Sequence, residues 1–81
     1  MKVVLTGRAI ESLKDAPRAV QRAFEKQLTF LVQNLQHPSL KAKKYNEADD
    51  IWQARVNRNW RFYFSIVGAA YVIRDMIRHP K

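Results

Sequence analysis

The sequence predicts an α+β fold in the order β-α-α-β-β-β. Two N-terminal helices are expected to pack on one face of a small twisted, mainly antiparallel sheet. Two patterns carry that expectation: apolar residues recur at helical spacing through residues 10–35, then alternate at strand spacing through 51–77. Size is the third observation, since 81 residues make a single domain, 1–81, with one modest core.

Lys2-Val3-Val4-Leu5-Thr6 forms a short strand, and Gly7 ends it. A first helix is expected from Arg8 to Asp15, with Ile10 and Leu13 on one face. Pro17 suits the first turn of a second helix, where its missing N–H would have no partner anyway. Val20, Phe24, Leu28, Leu31 and Leu35 then make a steady apolar stripe. Phe24 and Leu28 are expected to be buried against Phe62 or Phe64. His37-Pro38-Ser39 ends the helix, because a residue before proline is pushed out of the helical region. Residues 39–50 are polar and are expected to be a loop. Strands follow at 51–56, 60–67 and 70–77, separated by Asn57-Arg58-Asn59 and by Gly68, with connections short enough for antiparallel hairpins.

The strand at 60–67 has two unlike faces. Trp60, Phe62, Phe64 and Ile66 share one parity, while Arg61, Tyr63 and Ser65 share the other. A guanidinium, a phenol and a hydroxyl in a row on an open sheet face point to phosphate. Charge points the same way. Fifteen Lys and Arg against seven Asp and Glu leave a formal +8, and so basic a domain is expected to seek polyanions, nucleic acid first among them. There is no cysteine, so disulfides and cysteine-based metal sites are excluded. The two histidines and scattered carboxylates have no ligand spacing, so neither metal nor cofactor is expected. No apolar run approaches a membrane span and the N-terminal one is too short for a signal peptide, so a cytoplasmic location is expected.

The element order, the entry His37-Pro38-Ser39-Leu40 and the run from Arg55 to Phe64, with Trp60-Arg61 opening an apolar strand, together resemble the RelE/ParE superfamily of bacterial toxins. The ending Val72 to His79 resembles the last strand of many members, which closes on His or Arg. The resemblance covers essentially the whole chain and implies the toxin of a type II toxin–antitoxin pair, with an acidic antitoxin as partner. RelE-like members are ribosome-dependent endoribonucleases that cut mRNA without a metal, the 2′-hydroxyl attacking the adjacent phosphorus. ParE-like members instead bind and inhibit DNA gyrase. The first reading makes ribosome and mRNA further partners; the second is the alternative.

Under the ribonuclease reading the catalytic candidates are Arg61, His79, Arg55 and Tyr63. Arg61 would aim a fixed fork of donors at phosphate; the competing reading is a surface arginine paired with Asp75. Arg55 shares the polar parity of Gln53, and its competing reading is a solvated edge charge. Many members carry a basic residue where Gln53 stands. His79 is a candidate proton carrier, since an ordinary imidazole titrates at about pH 6.5. Counted along the strand, it falls with Ile77 and Ile73 on the apolar side, and only a bulge or the strand's end would turn it into the site. Tyr63 is placed to stack a base or move a proton. Ribonuclease members often carry a further tyrosine after the terminal His or Arg, where this sequence has Pro80 and Lys81. Lys41, Lys43, Lys44 and Arg58 are the candidate contacts to RNA backbone, with a solvated loop as the competing reading. Trp52 and Trp60 belong to the core by parity, and His37 is a turn residue.

Overall fold

The structure is a computed structural model that describes residues 1–79. These form β1 (Lys2–Leu5), α1 (Gly7–Asp15), α2 (Arg18–Gln33), β2 (Lys43–Asn46), β3 (Ile51–Arg55), β4 (Trp60–Val67) and β5 (Ala70–Arg78). The five strands make one sheet in the order β1-β5-β4-β3-β2. β1 runs parallel to β5, and every other pairing is antiparallel. The expected α+β architecture is present, with one strand more than the sequence reading.

That extra strand is β2, inside the segment 39–50 expected to be loop. Lys43 and Lys44 pair with Gln53 and Trp52 of β3. β2 carries no apolar alternation because neither of its faces is buried, its four residues being exposed or half-buried in turn. It reads like loop for that reason.

Local chemistry accounts for the element ends. Thr6 caps α1, its side-chain oxygen accepting from the Ala9 N–H at 3.1 Å. Pro17 stands at the N-cap position of α2, one residue outside the helix. α2 stops at Gln33, before the expected His37-Pro38 break, because Asn34 turns extended and its side chain accepts from the Gln36 N–H. Gly68 opens the two-residue β4–β5 turn at φ 58, a conformation that suits glycine.

One core lies between helices and sheet. Val20, Phe24 and Leu31 of α2 are buried with Phe62 and Phe64 of β4 and Ile73 and Met76 of β5. Phe24 meets Phe62 edge to face, with ring centroids 5.3 Å apart. Trp52 and Trp60 pack against this core, in keeping with their parity. Leu28 differs from expectation: it is half-buried and lines a shallow surface groove with Val3 and Val32. Gln27 takes the buried place beside it, 6% exposed.

β1 pairs with only the first half of β5. Beyond it, α1 flanks the strand: the Thr6 hydroxyl donates to the Arg74 carbonyl, and the Ser12 hydroxyl donates to Asp75 at 2.6 Å. The opposite, polar face of β2, β3 and β4 stays open, and the site is built there.

Candidate nucleic-acid interface

Strand register aligns the polar side chains in rows. Arg55 of β3 stands opposite Arg61 of β4, and Arg61 opposite Ile77 of β5. In the next row Lys43, Gln53, Tyr63 and Asp75 are aligned across the sheet. Directly paired residues point to the same face, so Arg55 and Arg61 share a side. A pocket of about 230 Å³ opens there, lined by Lys41, Lys43, Gln53, Arg55, Arg61 and His79. Four of its walls are cationic, and no carboxylate lines it among the described residues.

His79 reaches this pocket because β5 has a bulge. Tyr63 pairs with Asp75, but its neighbour Phe64 pairs with Ile73, so Arg74 is an extra residue. The bulge resets the parity of everything after it. Ile73 is fully buried before it, Met76 is buried after it, and Ile77 emerges 41% exposed beside Arg61. The expected grouping of Ile77 and His79 with the apolar side is therefore corrected. The His79 backbone N–H then ties to the Asn59 carbonyl at 2.6 Å, which holds the strand's end against the β3–β4 turn.

That turn is braced from two sides. Asn57 accepts the N–H groups of Asn59 and Trp60 on its side-chain oxygen, at 2.9 and 3.0 Å. Arg61 Nη1 donates to the carbonyls of Asn57, Arg58 and Trp60. Nε and Nη2 of Arg61 have no hydrogen-bond partner among the described residues. Asp75 is engaged elsewhere, paired to Arg8 at 3.1 Å and accepting from Ser12 and the Met76 N–H. The surface pairing of Arg61 with Asp75 is thus not formed. Burial and the neighbouring Arg55 charge push the Arg61 guanidinium below its ordinary pKa. The Arg55 Nε is itself buried without a partner among the described residues. Two close cations and an unmet donor make this a place that favours an anion.

The remaining candidates divide. Lys41 lines the pocket from a left-handed backbone conformation, φ 46, next to the fully buried Leu40. Lys43 lines it from β2. Lys44 does not: it bonds to Asp50, lies over the Trp52 ring, and the Asp50 hydrogen bond raises its pKa. Arg58 is exposed at the turn tip, outside the pocket lining. Tyr63 borders the site one row away, half-buried against Tyr45, and burial raises its phenol pKa. Ser65 shares its parity but is buried. His37 is a turn residue, stacked on Phe30 and accepting the Ser39 N–H on Nδ1.

Sequence reasoning missed Gln27. From α2 its amide donates to the Ser39 carbonyl at 3.0 Å and to the Arg55 carbonyl at 2.8 Å. The Arg55 N–H in turn donates to the Leu40 carbonyl. These bonds clamp the Lys41-bearing segment to the end of β3. The only available signal was a polar residue one step from the apolar stripe.

Among the described residues no helix is long and apolar enough to cross a membrane, and no group of three or more His, Cys, Asp or Glu is placed to hold a metal.

No protein-family model matches the sequence, and no curated protein matches it. Solved structures do. A YoeB/ParE toxin from Agrobacterium tumefaciens superposes with a TM-score of 0.82 at 13% identity, covering 99% of this chain and 100% of that one. The RelE–RelB complex from Pyrococcus horikoshii matches at 0.80 and 16%, covering 99% and 96%. The YoeB dimer from Staphylococcus aureus matches at 0.81 and 14%, covering 99% and 98%. The chain has the fold of the RelE/ParE toxins, over its whole described length.

Proposed function

We propose that this protein is the toxin of a type II toxin–antitoxin pair and a ribosome-dependent endoribonuclease that cuts mRNA by metal-independent acid–base chemistry. The observation that carries the reading is the pocket itself: Lys41, Lys43, Arg55 and Arg61 line it together with His79, around a space open to solvent. In the proposed step the 2′-oxygen attacks the adjacent phosphorus and gives up its proton. The bond from phosphorus to the 5′-oxygen breaks, that oxygen takes a proton, and a cyclic phosphate is left. Charge accumulates on the non-bridging oxygens, where preorganised donors are most effective. Arg61 would supply Nε and Nη2, with Arg55 beside it; Lys41 and Lys43 would hold the flanking phosphates. His79 is the proton carrier of the pocket. An acidic antitoxin is the proposed partner, in keeping with the +8 charge and with the RelE–RelB complex sharing this fold.

The test is primer extension on ribosome-bound mRNA, with Arg61→Ala and Arg61→Lys beside the parent. Arg61→Ala should lower the cleavage rate by on the order of 100-fold or more. Lys should rescue poorly, because a point charge does not reproduce the fork. Loss of the three Nη1 contacts to the turn should cost about 1.5–4.5 kcal/mol, less than the roughly 5–10 kcal/mol that holds such a domain, so the variant remains folded. A parent chain that arrests growth while leaving mRNA whole would favour gyrase binding instead.

A further inference from the structure

We infer that Tyr45, on the edge strand β2, is a stacking platform for a base next to the cleaved bond. This rests on the ribonuclease reading above and extends it from phosphate recognition to base recognition. Tyr45 is 61% exposed, a large aromatic ring on the surface of a small basic domain. It is the unpaired residue of a bulge: Lys44 pairs with Trp52 and Asn46 with Ile51, leaving Tyr45 outside the register. Its ring is not free to lie anywhere. Tyr63 meets it at 4.9 Å between centroids with an interplanar angle of 66°, and this edge contact fixes its attitude while leaving most of the ring in solvent.

Its position joins it to the anion pocket. Lys43, two residues earlier on the same strand, lines the pocket, and Gln53 of the pocket pairs with both Lys43 and Tyr63. Two residues along a strand span about 7 Å, the reach from one phosphate of a single strand to a neighbouring base. Single-stranded RNA is bound by this combination of a cationic track and an aromatic face. Tyr63, by contrast, is half-buried beneath its neighbour. The phenol named from sequence as a possible stacking group is thus the prop, and the exposed ring beside it is the platform.

Tyr45→Ala and Tyr45→Phe are to be compared with the parent on ribosome-bound mRNA, using intact message and message with an abasic nucleotide beside the cleaved bond. On intact mRNA, Tyr45→Ala should lose about 10-fold or more in kcat/KM, within the range of one lost base stack, and Phe should stay within about twofold, because it retains the ring. The parent should drop to the Tyr45→Ala level on abasic mRNA, and Tyr45→Ala should drop no further, as two lesions in one contact are not additive. If the parent cuts mRNA and Tyr45→Ala cuts it equally well, the inference is overturned and the ribonuclease reading stands. Equal losses by Tyr45→Ala on intact and abasic mRNA would also overturn it, since the ring would then be shaping the pocket. A parent that cuts no mRNA removes the ribonuclease reading and the inference with it.

Discussion

Gln27 shows how much of the pocket depends on one side chain that never enters it. Its amide N–H groups are shared between the Ser39 and Arg55 carbonyls, in a site only 6% exposed. Gln27→Leu keeps the size and strands both acceptors, at a cost of about 1–3 kcal/mol for each group left unmet. Gln27→Glu sets a carboxylate against two carbonyls and should be worse. Thermal melts should rank parent above Leu above Glu, and equal melting temperatures would show that the clamp has no role in stability. Tyr63 makes a pH prediction. Burial raises its phenol pKa above the ordinary value of 10.0, so the folded state holds that proton more tightly than the unfolded chain does. The resulting stability is fully present below the unfolded pKa and is lost as pH rises through the folded one. Chemical denaturation should therefore show parent stability falling above about pH 10, and Tyr63→Phe should flatten part of that fall.

At the scale of elements, the bulge in β5 serves two surfaces with one strand. Residues before Arg74 present Tyr71 and Ile73 to the core, and residues after it present Met76. A side-chain period of two means that one residue added to a regular stretch of strand exchanges the faces of everything downstream. Arg74 is the extra residue, so the faces of Met76, Ile77 and His79 depend on the spacing after it. Inserting an alanine between Asp75 and Met76 should turn Ile77 inward and Met76 and His79 away from their places, lowering the melting temperature steeply. Arg74→Ala is the control, because Arg74 is exposed and its backbone would be retained; its melt should match the parent. Comparable melts for the insertion and the alanine variant would mean that the register shift carries no weight.

The whole molecule combines a formal +8 charge with one pocket where cations crowd. The lowered Arg61 pKa, caused first by burial and then by Arg55, has a definite sign. The folded state disfavours the charged guanidinium relative to the unfolded chain, so the protonated site costs stability at neutral pH. A bound anion relieves that cost. Pyrophosphate or a short polyanion should raise the melting temperature, by an amount equivalent to about 2.7 kcal/mol at a hundredfold excess over Kd. Added monovalent salt should weaken the effect. Arg55→Ala should reduce the stabilisation while Lys44→Ala, outside the pocket, leaves it nearly intact. Equal losses from the two variants would indicate diffuse charge in place of a site.

How much of this was legible follows from the range of the interactions involved. The helices, the strands of residues 51–77 and the aromatic core were written in local periodicity, since a buried face forces apolar residues to recur at 3.6 or 2 residues. Arg61 and Arg55 were legible for the same reason, as charged residues on the parity opposite Phe62 and Phe64. By itself the sequence determined the fold class, the charge and these two cations. The tertiary structure decided the rest. β2 was hidden because an edge strand buries little. Gln27 was hidden because its partners lie 12 and 28 residues away. His79 was placed on the wrong side because a bulge becomes visible only when two strands are paired, Tyr63 with Asp75 and Phe64 with Ile73. The Tyr45–Tyr63 contact likewise joins strands that are neighbours neither in the chain nor in the sheet. Periodicity reports which way a residue faces within its own element, and only packing between elements decides what it meets there.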